Sequence, residues 1–448
     1  GLRYELYPLM TRATGKGIER LDPATNLVYL GGRGNVPKDV GVTVSHKLFA
    51  PTLGIAYRWN DKTVIRTGYG INFDPLPFSR PLRGFYPLTV NFAFNAENGY
   101  APVRTLDQGI PPVTGPDLST GIVSLPAVAD MRSPYLGQIH RGYTQSWNFT
   151  VERKLPQDII GTVAYVGTGS VHLLADRDIN AGSPGGGAAS RPYFNTFGRN
   201  TATNMWDGYL SSNYHSLQSS VRKSLSNGLL LQGAYTYSKA INMTDDDGWA
   251  SVGWNWGPVF SRNRAVAGYD RAQVFQMGWV YELPFGKGKK LATNGVAAQV
   301  LGGWSVNGVM SSYTGTPFTV SSPGASLNAP GNSQTADQIA PVDRIGAIGS
   351  NSTYYSAASF AKVTDVRFGT SGRNILRNPG VWNTDLMINR TFRFGERLST
   401  DFRAEFYNLP NTSHFNGVSS SDVTSGNFMR ILGSYGERQV RFGLRLGF

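Results

Sequence analysis

The chain has 448 residues, no cysteine, 16% charged residues and a formal net charge of +13. Without cysteine there is no disulfide framework, no thiolate metal site and no cysteine nucleophile. The charged fraction is low, because charged residues make up about 25% of an ordinary soluble domain. The mean hydropathy of the chain is nevertheless negative, at -0.25. Apolar residues must therefore be interleaved with polar ones, and no run approaches the ~20 apolar residues of a spanning helix. If the chain crosses a membrane, it does so with strands.

Segments of about ten residues with period-2 alternation recur along the chain. In the first clear segment, residues 63–73, the side chains of Ile65, Tyr69 and Ile71 share one face. The later segments are residues 143–152, 229–238, 275–283, 398–408 and 440–448. Their length suits tilted strands that cross a bilayer, and aromatics near their ends are typical of membrane girdles. Alternation alone also fits a half-buried strand of any antiparallel sheet.

The connections between these segments alternate in length. Short turns are predicted at residues 60–61, 155–158, 226–228, 284–288 and 394–397. Long Gly-, Pro-, Ser- and Asn-rich stretches are residues 75–142, 180–212, 242–270, 321–379 and 411–426. Outer-membrane barrels have short periplasmic turns and long extracellular loops. The sequence therefore predicts an all-β protein, an antiparallel transmembrane β-barrel with about a dozen strands in this chain.

The last residues form the most regular alternating run. Phe442, Leu444, Leu446 and Phe448 share the apolar face. A terminal Phe on that face resembles the signal that the outer-membrane barrel assembly machinery recognises. The alternative is an ordinary last strand of some other sheet.

Several charges are predicted to face the barrel lumen. Asp401, Arg403 and Glu405 share the polar side of one strand, and Arg441 and Arg445 lie on the polar side of the last strand. Charges inside a barrel pair with each other or with a plug, because unpaired buried charges are costly. Lining of a substrate path is the alternative.

Two features of one long loop are candidates for ligand contact. Trp249, Trp254 and Trp256 can stack on a flat ligand such as a sugar, or can pack the loop onto itself. Asp245–Asp247 supplies carboxylates but lacks the spacing of a calcium loop, so a solvated loop tip is the favoured interpretation. No cofactor or metal site is predicted.

No constellation of catalytic residues stands out, so an enzyme is not predicted. The basic charge is dispersed and no nucleic-acid-binding motif appears, so nucleic acid is not an expected partner. Basic loops near anionic lipid headgroups explain the charge better.

Several stretches, taken in order, resemble the Oar-like TonB-dependent receptors, which carry a carboxypeptidase-regulatory-like domain. They are residues 1–5 (GLRYE), 47–58 (KLFAPTLGIAYR), 63–71 (TVIRTGYGI), 234–240 (AYTYSKA), 281–288 (YELPFGKG), 302–308 (GGWSVNG), 402–411 (FRAEFYNLPN) and 439–448 (QVRFGLRLGF). The resemblance implies a plug, an N-terminal domain and a barrel of about 22 strands. Residues 1–448 are then the C-terminal portion of the barrel, with the plug and N-terminal domain outside this chain. Since no signal peptide stands at Gly1, an exported protein of greater length is expected.

The resemblance implies an importer in the outer membrane of a Gram-negative-type bacterium. Its loops would bind a large substrate, and plug movement driven by TonB would admit it. The expected partners are outer-membrane lipid, the barrel assembly machinery, the TonB complex through the plug, and the substrate. The first alternative is a structural or adhesive barrel without transport, and the second is a passive porin. The sequence upstream of Gly1 discriminates among them, because only the importer needs a plug.

Overall fold

The computed structural model describes residues 1–75, 82, 84–92, 94–246, 251–394 and 397–448. In this part of the chain, the main sheet has fourteen strands, of which two short ones, Met131–Pro134 and Ala265–Val266, pair beside the others. The other twelve form an antiparallel series in which each strand pairs with the next of the series. They are β1 (Leu2–Tyr4), β2 (Phe49–Asn60), β3 (Thr63–Phe73), β4 (Tyr143–Leu155), β5 (Ile159–Asp178), β6 (Thr203–Ser226), β7 (Leu229–Asn242), β8 (Gln273–Glu282), β9 (Trp304–Tyr313), β10 (Val381–Phe394), β11 (Leu398–Tyr407) and β12 (Gln439–Gly447). The predicted fold class and the estimate of a dozen strands are confirmed.

The register places most of the apolar residues of the strands on one face of the sheet. One row runs through Tyr69, Trp147, Gly167 and His215, each directly opposite the next. The row on the other face is polar and passes through Arg66, Thr150, Ala164 and Gln218. Because side chains of a strand alternate between faces, a one-residue slip would reverse this separation. The sheet therefore has one apolar and one polar surface.

The sheet is open in the part of the chain that the structure describes. β1 pairs with only Phe49–Pro51 of β2, so the rest of β2 has no neighbour on that side. β12 pairs with β11 and with no other described strand. Both outer strands thus present unpaired backbone groups.

The connections alternate between the two ends of the sheet, as expected for sequential antiparallel strands. Short turns join β2 to β3, β4 to β5, β6 to β7 and β10 to β11. The turn expected at residues 284–288 is part of a longer connection, because β8 ends at Glu282 and β9 begins only at Trp304. The described residues contain two α-helices, α1 (Phe194–Phe197) and α2 (Gly295–Leu301), and α2 lies in this connection. No helix among the described residues has the length and apolarity needed to span a membrane.

The long connections at the opposite end fold together, and we call them the cap. The cap consists of the described residues of 5–48, 74–142, 179–202, 243–272, 314–380 and 408–438. Its short strands are Glu19–Asp22, Leu27–Leu30, Val42–Thr43, Ile122–Ser124, Met131–Pro134, Gly137–Gln138, Ala265–Val266, Pro317–Phe318, Asp337–Gln338, Phe360–Ala361, Leu376–Arg377, His414–Phe415 and Ser434–Tyr435. Its 3-10 turns are Leu106–Gln108, Gly187–Ser190, Gly257–Asn263 and Ala357–Ser359. The predicted irregular loops therefore fold into a layer at the end of the sheet opposite the short turns.

The cap has small hydrophobic cores of its own. The largest joins residues 318–376 to residues 415–431, and Val320, Met429 and Ile431 are completely buried in it. Two others join residues 10–42 to residues 82–139 and to Met205 and Trp206 of β6. Burial of apolar side chains between distant connections is what orders segments whose sequence is rich in turn residues.

Candidate functional site

Partly buried arginines cross-link the connections of the cap. The guanidinium of Arg373 donates to the Asp245 carboxylate at 2.5 Å and to the backbone oxygen of Asn263 at 2.8 Å. Arg377 pairs with Asp270, and Arg262 donates to the backbone oxygens of Gly369 (2.6 Å) and Ser371 (3.0 Å). Each bond joins residues 243–272 to residues 314–380. Charge-assisted hydrogen bonds of this kind fix the relative position of two loops.

One further pair holds the connection between β9 and β10 together. Arg367 forms two parallel hydrogen bonds to the carboxylate of Asp337, at 2.8 and 2.7 Å. The hydrogen bonds from Arg367 hold the pKa of Asp337 below its ordinary value. The charged form of Asp337 is thus part of the folded cap.

The tryptophans proposed as ligand contacts lie in different environments. Trp254 is only 3% exposed, and the guanidinium of Arg262 lies 5.5 Å from its ring centroid. This position corresponds to the alternative left open by the sequence, packing of the loop onto itself. Trp256 is half-buried and stacks on Phe368 with ring centroids 6.3 Å apart. Trp249 lies outside the described residues.

Asp245 and Asp246 of the acidic run in the same loop have separate hydrogen-bond partners. Asp245 accepts from Asn242, Gly268 and Arg373, and Asp246 accepts from the backbone N–H of Ser251 at 2.9 Å. Burial alone would raise the pKa of Asp245, but the hydrogen bonds that Asp245 accepts keep this pKa below its ordinary value. Asp247 lies outside the described residues. Within the described ranges, no group of three or more His, Asp or Glu side chains is placed to hold a metal ion.

A cavity of about 610 Å³ lies where the cap meets the ends of β7–β10. The sequence did not single it out, because its lining comes from six segments of the chain. The lining includes seven aromatic side chains and two arginines: Tyr235, Phe275, Tyr313, Tyr354, Tyr355, Trp382, Phe415, Arg344 and Arg377. Arg377 is already occupied by Asp270, whereas Arg344 is exposed and lies over the ring of Tyr354 at 5.1 Å. The combination suits a flat or anionic ligand.

The charges predicted to face the lumen do share one face. Asp401 lies directly opposite Arg445, and Glu405 lies directly opposite Arg441. The ion pair found among them is Arg403 with Glu405, at 3.9 Å within one strand. Asp401 accepts from the hydroxyl of Thr391 at 2.6 Å. The register therefore allows cross-strand pairing of these charges, while the contacts observed are an ion pair within β11 and a hydrogen bond from Thr391 of β10.

The residues of the predicted assembly signal lie at an edge of the sheet. Phe442, Leu444 and Leu446 of β12 point to the apolar face and are mostly exposed. Phe448 follows the end of the strand and is fully exposed. A strand with one free edge and alternating apolar side chains has the form that strand addition requires.

Comparison with known protein families identifies the fold. The model described as "Outer membrane beta barrel domain" matches residues 1–441. The chain belongs to this family. Membership places the protein in the outer membrane of a Gram-negative bacterium, which confirms the predicted localisation.

Solved structures of outer-membrane barrels are similar to the chain. The outer membrane transporter YddB from Escherichia coli has 9% identity and a TM-score of 0.44, covering 95% of this chain and 43% of that one. The pyoverdine receptor FpvA from Pseudomonas aeruginosa PAO1 has 10% identity and a TM-score of 0.44, covering 94% and 38%. The ferric preacinetobactin receptor BauA from Acinetobacter baumannii has 10% identity and a TM-score of 0.42, covering 94% and 39%. The chain thus spans 38 to 43% of the length of these proteins. No curated protein matches the sequence.

Membership of the outer membrane beta barrel family assigns an environment to each face. The apolar face, which carries Leu53, Phe149 and Leu444, lies against lipid. The long connections, and hence the cap, lie at the extracellular end, and the short turns lie at the periplasmic end. The cavity where the cap meets the ends of β7–β10, which we call the rim cavity, is accordingly at the cell-surface end of the sheet.

Proposed function

We propose that the chain is the C-terminal part of the barrel of an Oar-like TonB-dependent transporter. In this proposal the cap binds a large substrate, and a plug outside this chain opens when TonB acts on it. The protein supplies binding and a gated path, and no bond chemistry. The observation that carries the proposal is the ordered cap, combined with Oar-like motifs in family order along nearly the whole chain.

The construction of the cap supports a receptor role. A barrel that only passes small solutes needs no folded layer at its mouth, whereas this one has hydrophobic clusters and arginine hydrogen bonds between connections there. A binding surface is more selective when its loops are fixed before the ligand arrives. The rim cavity, with Arg344 and its aromatic lining, is the candidate for substrate contact.

The polar face supports the presence of a plug. This face carries an apolar strip. Leu230 of β7 lies opposite Val280 of β8, and Val309 of β9 lies opposite Gly278, which is two residues before Val280 on β8. All three side chains are exposed on a face that is otherwise polar. Apolar side chains inside a barrel are better accounted for by a packed domain than by water. The charged residues Asp401, Arg403, Glu405, Arg441 and Arg445 are proposed to contact the same domain.

The open edges support further barrel strands. The unpaired side of β2 and the free edge of β12 each need a partner in a stable barrel, because exposed edges aggregate. Additional strands between these two edges would close the sheet. We therefore expect the complete protein to contain strands and a plug outside residues 1–448.

An uptake assay tests the proposal. A strain lacking the complete protein is compared with the wild type for accumulation of radiolabelled ferric siderophores, oligosaccharides and peptides, with and without a protonophore. We expect accumulation of one class to be lost both in the deletion strain and after protonophore treatment. Accumulation that resists the protonophore would indicate a passive porin. Surface binding of a probe without accumulation of any would indicate the adhesive barrel instead.

A further inference from the structure

The connection between β8 and β9 lies against the lipid-facing side of the sheet. The guanidinium of Arg390 donates to the backbone oxygen of Val300 at 2.7 Å and also to that of Gln299, at the C-terminal end of α2. The indole N–H of Trp304 donates to the same Val300 oxygen at 3.0 Å. Two side chains of the sheet thus hold the helix by its free carbonyl groups.

Those two anchors belong to the apolar face. Trp304 lies directly opposite Arg390, which lies opposite Phe402, which lies opposite Leu444. The ring of Trp304 contacts those of Phe392 and Phe402, with centroids 6.4 and 6.0 Å apart. Aromatic side chains at this end of the lipid-facing surface form the periplasmic girdle of a barrel. The helix therefore lies outside the sheet, at the level of the periplasmic lipid headgroups.

The helix turns its apolar side chains away from the protein. Val296, Val300 and Leu301 are 75%, 57% and 46% exposed. Together with Ala297 they cover an arc of about 140° on the helix, as wide as the face that a surface helix normally buries. A helix in water would expose polar residues on this side. The outward stripe is a surface for an apolar environment that the described chain does not provide.

Three lysines precede this stripe in the sequence, within the same connection. Lys289 pairs with Glu282 at 2.6 Å, whereas Lys287 and Lys290 are exposed and make no ion pair within the described residues. Two exposed lysines a few residues before an apolar stripe match the arrangement of phosphate and acyl chain in an anionic lipid.

The position of the helix is fixed by close backbone packing. A Cβ on Gly286 would lie 2.7 Å from the Cα of Gly302, and a Cβ on Gly302 would lie 2.4 Å from the backbone oxygen of Ala298. The turn before the helix is closed by hydrogen bonds between Gly286 and Leu291 and between Leu291 and Pro284, both at 2.9 Å. The outward stripe is thus presented by a rigid element, since only glycine permits this approach.

We infer that residues 287–301 form an in-plane anchor that binds anionic phospholipid of the periplasmic leaflet. Val296, Val300 and Leu301 insert among the acyl chains, and Lys287 and Lys290 bind the phosphate groups. The inference depends on the outer-membrane location and not on transport, so it stands whether or not the proposed substrate uptake occurs.

Spin labelling tests the insertion of the stripe. This chain has no cysteine. Val296→Cys or Val300→Cys is introduced into the full-length protein, after any cysteine outside this chain has been replaced. Each variant then carries a single nitroxide. The protein is placed in nanodiscs of phosphatidylethanolamine and phosphatidylglycerol. We expect high accessibility to oxygen and low accessibility to a water-soluble nickel chelate, as at the lipid-facing control Val163→Cys. The aqueous control is Asp61→Cys in the turn between β2 and β3.

Fluorescence quenching tests the lysines. A bimane on Thr293→Cys is quenched by nitroxide-labelled phosphatidylglycerol or phosphatidylcholine. We expect preferential quenching by phosphatidylglycerol, reduced roughly five-fold for each of Lys287→Gln and Lys290→Gln, since a lysine at an anionic surface contributes about that factor. Lys62→Gln, in another turn at the same end, should leave the preference unchanged.

Three results would overturn the inference. One is a label at 296 and 300 that is as accessible to the nickel chelate as the label at 61. Another is protection from both reagents, because another protein segment then covers the stripe. The third is equal quenching by the two lipids that the lysine substitutions do not alter.

Discussion

Two tryptophans of the lipid-facing surface lie flat across glycines of the neighbouring strand. Trp147 lies opposite Gly167, and Trp279 lies opposite Gly308. A Cβ at Gly308 would lie 2.2 Å from Cζ2 of Trp279, and one at Gly167 would lie 2.5 Å from the ring of Trp147. Covering of a strand glycine by a cross-strand aromatic restores the packing that the missing side chain would supply.

Substitution of Gly308 by valine should therefore displace Trp279. We expect a loss of about 1–3 kcal/mol in the free energy of unfolding, as for an overpacked core position. Urea unfolding of the protein in detergent micelles, followed by tryptophan fluorescence, measures this loss. Gly54→Val is the matched control, because no atom lies within 4 Å of a Cβ at Gly54. Equal effects of the two substitutions would mean that the aromatic cover is unimportant.

Phe448 is expected to act in assembly and not in stability. It is fully exposed beyond the end of β12, so it contributes little burial. Deletion of Phe448 from the full-length protein should lower the amount that reaches the outer membrane and leave the melting temperature of the purified barrel nearly unchanged. Membrane yield and calorimetry on the same preparation measure both. Normal yield with a large drop in melting temperature would identify Phe448 as an ordinary packing residue.

At the scale of the strand, the two faces should respond differently to the same charge. Phe149 of β4 is lipid-facing and lies between Thr67 and Tyr165. Phe149→Arg should cost about 2–4 kcal/mol in a bilayer, because the guanidinium must leave water. Thr150→Arg, one residue on and facing the lumen, should cost much less. Unfolding in lipid vesicles compares the two, and similar costs would argue against the assignment of the faces.

At the scale of the cap, Asp337 should make one connection sensitive to acid. Its pKa is lowered in the folded protein by hydrogen bonds from Arg367. When the pKa of a carboxyl is lower in the folded than in the unfolded protein, its stabilisation is complete above the unfolded-state pKa. It is lost as the pH falls through the folded-state pKa, here below about pH 4. We expect faster exchange of the amide hydrogens of Ile339 and Ser371, which bond across this region, once the intrinsic pH effect is removed.

Two variants check the assignment to Asp337. Asp337→Asn should show fast exchange at neutral pH and no further acid effect from this pair. Asp365→Asn removes the weaker partner of Arg367, which lies 3.3 Å away and is largely exposed, and should behave like the wild type. An unchanged acid response in Asp337→Asn would mean that another group is responsible.

At the scale of the whole molecule, the open edges should decide the behaviour of residues 1–448 in isolation. The free side of β2 and the free edge of β12 offer unpaired backbone groups to another chain. Residues 1–448 refolded alone in detergent should therefore associate, whereas the complete protein should be monomeric. Analytical ultracentrifugation of both measures this difference. A stable monomer with β1 paired to β12 would show that these twelve strands close on themselves.

The sequence alone predicted about a dozen strands, the approximate bounds of six of them, their two faces and the membrane they cross; the loop predicted at 180–212 ends earlier, because β6 begins at Thr203. This information is local: alternation of side chains assigns each residue to a face, and segment length matches the bilayer. The polar alignment of Asp401 and Glu405 with Arg445 and Arg441 was predictable for the same reason, since it depends only on parity and register.

Only the tertiary structure decided how the connections fold. The burial of Trp254, the bridge from Arg373 to Asp245 and the cavity beside Arg344 each join segments far apart in sequence. The connection after β8 was predicted as a short turn, yet it carries a helix held on the lipid-facing side by Arg390 and Trp304. Irregular segments have no repeating period, so their positions depend on long-range packing that the local pattern does not encode.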